Sequence, residues 1–172
     1  FQRPVQKVPL PFLLHLFRTP GIGELMVKGM HAFVRGFLFR AGLQYPDRLT
    51  DTDRLAYLAP HPTWSSRTGI LAFPRQIPSG PSGIISDFVA AENERLVAAF
   101  ADRPVKIVWP MKDVAFTPET LDGMWLQHFP NADVVRIADA GHFIQEDAHE
   151  QVIAELMDFI AATWGNNEDV NH

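Results

Sequence analysis

The sequence contains no cysteine among its 172 residues. Disulfide bonds, thiolate zinc sites and a cysteine nucleophile are therefore excluded. Tyrosine is scarce, with only Tyr45 and Tyr57, although there are 13 phenylalanines. No run of about 18 apolar residues is present, which is what a membrane-spanning helix would need.

An excess of positive charge is also missing. Lys and Arg together number 15 against 20 for Asp and Glu, which gives a net charge of −5 and a sequence pI of about 5.8. A nucleic-acid-binding protein usually has a basic face, so we expect no nucleic-acid partner. Because a long apolar run is missing, we expect no membrane partner either. The 47% apolar content is enough for one globular domain with a buried core.

The first residue is Phe1 rather than Met, and the N-terminal stretch lacks the charged start and the cleavage site of a signal peptide. From these two features we expect a cytoplasmic protein and a chain that is a fragment of a longer one.

The residue pattern changes near position 80. Before it, apolar spacing and capping residues predict helices; after it, helices alternate with strands rich in β-branched residues, which is typical of a parallel α/β sheet. Residues 166–172 form a polar tail. The helices are predicted at Pro9–Arg18, Gly23–Ala41, Thr50 or Thr52 to Leu58, Trp64–Phe73, Ile85–Ala101, Pro118–Phe129 and Ala148–Trp164, and the strands at Val105–Trp109 and Val134–Ile137.

Two residues that carry chemistry follow the predicted strands. Asp113 comes shortly after the first strand and His142 shortly after the second. The carboxyl ends of neighbouring parallel strands meet at one edge of a sheet, so we expect these side chains to face each other there. A carboxylate in that position holds an imidazole in one tautomer, which makes the pair two-thirds of a hydrolytic triad. Taken singly, Asp113 also fits a turn or helix cap, and His142 fits a buried histidine bonded to a backbone carbonyl.

A catalytic serine is disfavoured. In Ser79–Gly83 the residues Gly80 and Ser82 have the first half of a nucleophile-elbow spacing, but Ile84 stands where the second glycine should be. A metal site at the acidic start of the last helix is also disfavoured, because Asp147, His149 and Glu150 do not have the spacing of known metal ligands. We expect no metal and no cofactor.

Longer stretches around the acid and the histidine resemble a known family. Val105–Phe116 and Ile137–Glu146, which contains Ala140-Gly141-His142-Phe143, are similar to the C-terminal part of haloalkane dehalogenases in the α/β-hydrolase superfamily. Leu55–Pro78 resembles the end of that family's helical cap. The resemblance extends from about residue 10 to 163.

The resemblance implies an α/β-hydrolase fold, with a helical cap at 1–80 followed by the last strands and helices of the parallel core sheet at 81–165. It implies that Asp113 is the triad acid and His142 is the base that activates water, which hydrolyses an ester formed on a nucleophilic aspartate. Neither this aspartate nor the halide-binding residues have a counterpart here, so an N-terminal half of the core is expected as a partner. By analogy, the apolar substrate pocket is lined by Phe73, Pro74, Ile77, Ala115, Phe116 and Phe143.

The substrates implied are a small haloalkane and water, and the products are halide and an alcohol. Epoxide hydrolysis, with Tyr45 and Tyr57 as candidate proton donors, is an alternative, and a serine esterase of the same fold is another. A different class of explanation is a catalytically incomplete fragment or binding remnant, since the sequence supplies no nucleophile.

Overall fold

The computed structural model describes residues 12–77 and 84–164. The chain divides into two compact units, Phe1–Asn93 and Glu94–His172. The cap and core boundary expected at residue 80, the Ser79–Gly83 segment and the polar tail fall outside the described residues. No helix in the described ranges is long and apolar enough to cross a bilayer.

The first unit is helical. A short 3₁₀ turn at Pro46–Arg48 lies between the third and fourth helices, and the last helix continues past the end of the unit. The helices are α1 (Phe12–Arg18), α2 (Glu24–Gly29), α3 (Phe33–Ala41), α4 (Asp51–Leu58), α5 (Thr68–Gln76) and α6 (Ile84–Phe100).

The core of this unit forms where α1, α2 and α5 meet. Phe17 and Val27 are fully buried and Leu71 is nearly so. The backbone before α2 passes so close to α1 that only glycine fits at position 23, because a Cβ on Gly23 would lie 2.0 Å from the carbonyl oxygen of Phe17. A side chain at this position would push the fully buried Phe17 out of its packing.

The continuous helix expected over Gly23–Ala41 is wrong in one respect: the structure breaks it into α2 and α3. His31 has a φ of 57°, which no residue within a right-handed helix adopts. Its Nε2 lies 2.8 Å from the carbonyl oxygen of His61. Both helices have i→i+5 hydrogen bonds, such as Met30 N–H to Leu25 O at 3.0 Å. The apolar residues predicted to form one helix face are therefore divided between two helices.

The start of α4 agrees with the sequence prediction. Thr50 precedes the helix, and its Oγ1 accepts from the N–H of Asp53 at 3.2 Å. The Asp53 carboxylate accepts in return from the Thr50 N–H at 2.8 Å. This reciprocal capping box satisfies two backbone donors and fixes the first residue of the helix.

The next helix is shifted relative to its prediction. It was expected at Trp64–Phe73 but runs over Thr68–Gln76. Thr63 caps only a turn, in which Ser66 N–H donates to Thr63 Oγ1 at 3.2 Å. Arg67 then donates to the carbonyl of His61 at 2.9 Å and to that of Lys28 at 2.6 Å, which holds the turn against the end of α2.

The second unit contains a two-stranded parallel sheet. β1 is Lys106–Pro110 and β2 is Asp133–Ile137, in a register that pairs Lys106 with Asp133 and Pro110 with Ile137. Both strands and their parallel pairing confirm the sequence prediction, within one residue at each end. The remaining helices are α7, in three consecutive segments Pro118–Thr120, Leu121–Trp125 and Leu126–His128, then α8 (Ile144–Asp147) and α9 (His149–Trp164).

One face of this sheet packs on α7. Leu121 is fully buried against Ile107 and Trp109, and Trp109 meets Trp125 edge-on at 6.3 Å between ring centroids. The Nζ of Lys106 forms ion pairs with the carboxylates of Asp133 and Glu155, both at 2.7 Å. These contacts fix the strand whose carboxyl end leads into Asp113.

Candidate active site

The acid lies in a turn three residues after β1. Asp113 is 7% exposed, and its Oδ1 accepts from the N–H of Ala115 at 2.7 Å and of Phe116 at 3.1 Å. Asp113 is therefore a turn-forming aspartate, as one sequence interpretation held. The turn also fixes the direction of the carboxylate.

The histidine follows β2 and meets this carboxylate. Nδ1 of His142 lies 3.0 Å from Oδ1 and 3.0 Å from Oδ2 of Asp113. A carboxylate only accepts, so Nδ1 carries the proton and Nε2 is the basic nitrogen when the ring is neutral. The His142 side chain is 23% exposed. The expected pairing at one edge of the sheet is present.

Two opposing effects set the charge of the acid. Burial is the largest single effect, and it raises the pKa of Asp113. Hydrogen bonds from His142 and from the N–H groups of Ala115 and Phe116 lower this pKa, and their combined effect is larger than that of burial. The net result is a pKa of Asp113 below its ordinary value. The group is a carboxylate at neutral pH and can stabilise an imidazolium beside it.

Backbone hydrogen bonds join the loops that carry the pair. Met111 N–H donates to Ile137 O and Lys112 N–H donates to Ala140 O, both at 3.0 Å. Lys112 Nζ also contacts Asp139 Oδ1 at 2.6 Å. The loops after β1 and β2 are thus held at a fixed separation immediately before Asp113 and His142.

Two aromatic rings contact the imidazole. Phe116 stacks on His142 with 5.8 Å between ring centroids and 19° between planes. Phe143 lies edge-on at 5.0 Å and 89°. Both residues were predicted to line a substrate pocket; the structure places each of them against the histidine ring, where they restrict its rotation.

The other predicted pocket residues are distributed differently. Ala115 is exposed next to the acid, whereas Phe73, Pro74 and Ile77 belong to the first unit, where Phe73 is 65% exposed and Pro74 is buried within α5. The first unit also has an open groove of about 750 Å³. Its lining includes none of these residues: Met30, Ala32, Arg35, Gly36, Phe39, Arg40, Asp51, Arg54, Leu55 and Leu58.

The two tyrosines are both engaged in packing. The Arg48 guanidinium lies 4.0 Å from the centre of the Tyr45 ring. Tyr57 meets Phe39 edge-on at 6.2 Å. Both contacts are made by the rings, and Tyr45 is 38% exposed.

One buried carboxylate was not recognised from the sequence as part of the histidine loop. Asp147 is 3% exposed, and its Oδ2 accepts from the N–H of Gly141 at 2.8 Å. In the sequence it had only the signal of an acidic residue near a helix start. Within residues 12–77 and 84–164, no group of three His, Asp or Glu side chains could hold a metal ion.

Comparison with known proteins shows what this chain is similar to. The chain is 32% identical over 159 residues to a cis-3-alkyl-4-alkyloxetan-2-one decarboxylase from Shewanella oneidensis, covering 90% of this chain and 48% of that protein. It is 31% identical over 102 residues to haloalkane dehalogenase 2 from Mycobacterium tuberculosis, covering 59% of this chain and 34% of that protein. No protein-family model matches the chain.

Solved structures agree. Haloalkane dehalogenase DbeA from Bradyrhizobium elkani superimposes with a TM-score of 0.79 at 25% identity, over 90% of this chain and 52% of that one. Haloalkane dehalogenase DatA from Agrobacterium tumefaciens gives 0.72 at 26% identity, over 88% and 50%. The chain is similar to haloalkane dehalogenases and to oxetanone decarboxylases. It has part of the α/β-hydrolase fold, which confirms the fold class and the resemblance inferred from the sequence.

The chain spans about half the length of the curated relatives it matches. It contains the short parallel sheet and both residues of the acid–histidine pair.

Proposed function

We propose that this chain supplies the acid and the base of a hydrolase of the haloalkane dehalogenase type. In this reaction a nucleophilic aspartate, contributed by polypeptide outside these 172 residues, displaces halide from carbon and forms an alkyl ester. His142 Nε2 takes a proton from water while the water oxygen attacks the ester carbonyl. Collapse of that adduct releases the alcohol and restores the carboxylate. The balance is haloalkane plus water to alcohol, halide and a proton.

A single observation supports this proposal most strongly. Nδ1 of His142 contacts both carboxylate oxygens of a buried Asp113 at 3.0 Å, at the carboxyl end of a parallel sheet. That arrangement leaves Nε2 as the proton acceptor, and it stabilises the positive charge that appears on the ring when water is deprotonated. Phe116 and Phe143 make the surroundings apolar, which suits a small substrate without charge.

A second candidate is decarboxylation of a cis-3-alkyl-4-alkyloxetan-2-one. What favours it is sequence identity over most of the chain: the two decarboxylases are 32% and 29% identical over 90% and 93% of this chain. The haloalkane dehalogenases from Bradyrhizobium diazoefficiens and Mesorhizobium japonicum are 28% and 26% identical over 84% and 86%. Loss of CO₂ from the four-membered lactone leaves an alkene and consumes no water, so the two candidates differ in their products. Epoxide hydrolysis has less support, because none of the similar proteins and structures named above is an epoxide hydrolase.

The experiment starts with the protein as purified from its source. Its intact mass under denaturing conditions is compared with the 19.4 kDa of this chain, and it is then incubated with a bromoalkane and, separately, with a cis-dialkyl oxetanone. Dehalogenation predicts bromide and alcohol, whereas decarboxylation predicts CO₂ and alkene. A single 19.4 kDa species that forms none of these products would contradict both and favour the incomplete-fragment alternative.

The histidine is tested by substitution. His142→Gln should stop turnover of the bromoalkane and leave the ester in place, seen as a protein mass increase equal to the alkyl group minus one hydrogen. His149→Gln is the matched control, because His149 is exposed at the start of α9 and should leave turnover unchanged. Turnover by His142→Gln at the wild-type rate would refute the role of His142. The cytoplasmic location and the N-terminal-half partner stay predictions.

A further inference from the structure

A second buried carboxylate holds the backbone on both sides of the histidine. The side chain of Asp147 accepts from the N–H of Gly141 at 2.8 Å, one residue before His142. The backbone N–H of Asp147 donates to the carbonyl of Phe143 at 3.2 Å, one residue after it. A single residue thus closes the loop around His142 through its side chain and its main chain.

The closure is buried and charge-assisted. Asp147 is 3% exposed, Gly141 is buried and Ala140 is fully buried. Hydrogen bonds from a backbone N–H to a carboxylate are shorter and stronger than those between neutral groups. A buried N–H that loses such a partner costs free energy, which favours a shift of the backbone towards another acceptor.

The closed loop is also attached to the acid. Lys112 N–H donates to Ala140 O, so the peptide on which Asp147 acts is fixed to the residue that precedes Asp113. A shift at Gly141 would therefore change the distance between Nδ1 of His142 and the Asp113 carboxylate. The aromatic contacts of Phe116 and Phe143 restrict the ring but do not fix the backbone that carries it.

We propose that Asp147 is a positioning residue for His142, which holds the histidine loop so that the imidazole meets Asp113. The proposal rests on the proposed function for its kinetic test, and one measurement below is independent of it. A misplacement of about 1 Å in a catalytic group lowers the rate by about 10²-fold. Loss of the carboxylate should therefore reduce kcat with little effect on substrate binding.

The test uses the whole protein as purified from its source, assayed for release of bromide or CO₂. Asp147→Ala should lower kcat for the bromoalkane about 10- to 100-fold, whereas kcat/KM should stay within about 3-fold, because His142 acts on the ester after halide has left. Asp147→Asn should recover kcat to within about 3-fold of the wild type, because its amide oxygen can accept the same N–H. Glu150→Ala, an exposed acid in the first turn of α9, is the matched control and should change neither parameter.

The independent measurement is proton NMR of the Nδ1 proton shared by His142 and Asp113. We expect its downfield resonance to shift or broaden in Asp147→Ala and to return in Asp147→Asn. This holds even if neither substrate is turned over, so failure of the proposed function is distinguishable from failure of this inference. If the alanine variant does not fold, Asp147→Glu, one methylene longer, serves in its place.

Two results would overturn the inference. One is an Asp147→Ala protein with wild-type kcat and an unchanged Nδ1 resonance. The other is a loss of activity in both Asp147→Ala and Asp147→Asn that follows the folded fraction alone, because that would mean a general effect on stability.

Discussion

Replacing Asp113 by asparagine should invert the hydrogen bond to His142. Oδ1 of Asp113 already accepts from the N–H groups of Ala115 and Phe116. The amide oxygen of asparagine must take that place, because the alternative sets an NH₂ group against two N–H donors. Nδ2 then occupies the position of Oδ2, 3.0 Å from Nδ1 of His142, and presents a donor to it.

The consequence is a histidine in the wrong tautomer. Nδ1 must now accept, so the ring proton moves to Nε2, and Nε2 can no longer take a proton from water. The turn keeps its two backbone hydrogen bonds, so the fold should be little affected. We expect kcat to fall by about 10⁴-fold, which corresponds to about 5 kcal/mol of transition-state stabilisation.

The assay is product release by the whole protein, combined with ¹⁵N NMR of the His142 ring to identify the protonated nitrogen. Asp158→Asn makes the same chemical change on an exposed face of α9 and should leave kcat unchanged. If Asp113→Asn kept its kcat within tenfold of wild type, the proposed base role would be refuted. If Nδ1 stayed protonated in the variant, the inverted hydrogen bond would be refuted.

Three further predictions concern the first unit. Gly23→Ala should lower the free energy of unfolding by about 1–3 kcal/mol, because its Cβ would lie 2.0 Å from a backbone oxygen. Gly36→Ala is the control and should leave the free energy of unfolding unchanged, since nothing lies within 4 Å of its Cβ. Equal free energies of unfolding for the two variants in urea denaturation would contradict this prediction. Hydrogen bonding to Arg75 lowers the pKa of Glu24 from 4.5 to about 2, so this stabilisation is complete above pH 4.5 and is lost as the pH falls through 2. In NMR titration, Arg75→Ala should return the pKa towards 4.5, and a midpoint still near 2 would contradict the assignment. Burial lowers the pKa of His31 below 6.5, so the unfolded chain binds more protons than the folded chain, and stability should decline as the pH falls below 6.5. In His31→Asn this decline should disappear, because asparagine tolerates a positive φ and does not titrate. An identical pH profile of stability in the variant would show that His31 does not cause the decline.

The sequence predicted the sheet because its signals are local. Val105–Trp109 and Val134–Ile137 are β-branched runs, and the intervening helix begins at Pro118, which has no N–H to satisfy. A strand–helix–strand sequence with short connections allows the parallel pairing that is observed. The acid–histidine pair followed from that topology, because both residues come a few positions after the strands end.

The break in the first unit did not follow from local signals. Apolar spacing continues from Leu25 to Leu38, whereas His31 leaves the helical region and contacts the carbonyl of His61, 30 residues later. Arg67 holds the same segment through four carbonyl oxygens. Contacts at that separation override helix periodicity and have no signature in a window of ten residues.

Asp147 illustrates the same limit at the site. An acidic residue near a helix start is ordinarily explained by the helix dipole. What distinguishes Asp147 is burial and a hydrogen bond to Gly141, and both depend on how the loop after β2 folds back. The segment from Gly141 to Asp147 can close in many ways, so only the folded chain identifies the hydrogen bond that forms.

The geometry of the acid–histidine pair is a local property of the second unit. Asp113 is oriented by its own turn, its loop is bonded to the histidine loop through Lys112 and Ala140, and that loop is closed by Asp147. None of these contacts involves the nucleophile. The same pair would therefore be present for dehalogenation and for lactone decarboxylation. Its geometry alone does not distinguish the two reactions, whereas their substrates and products do: a haloalkane gives halide and an alcohol, and an oxetanone gives CO₂ and an alkene.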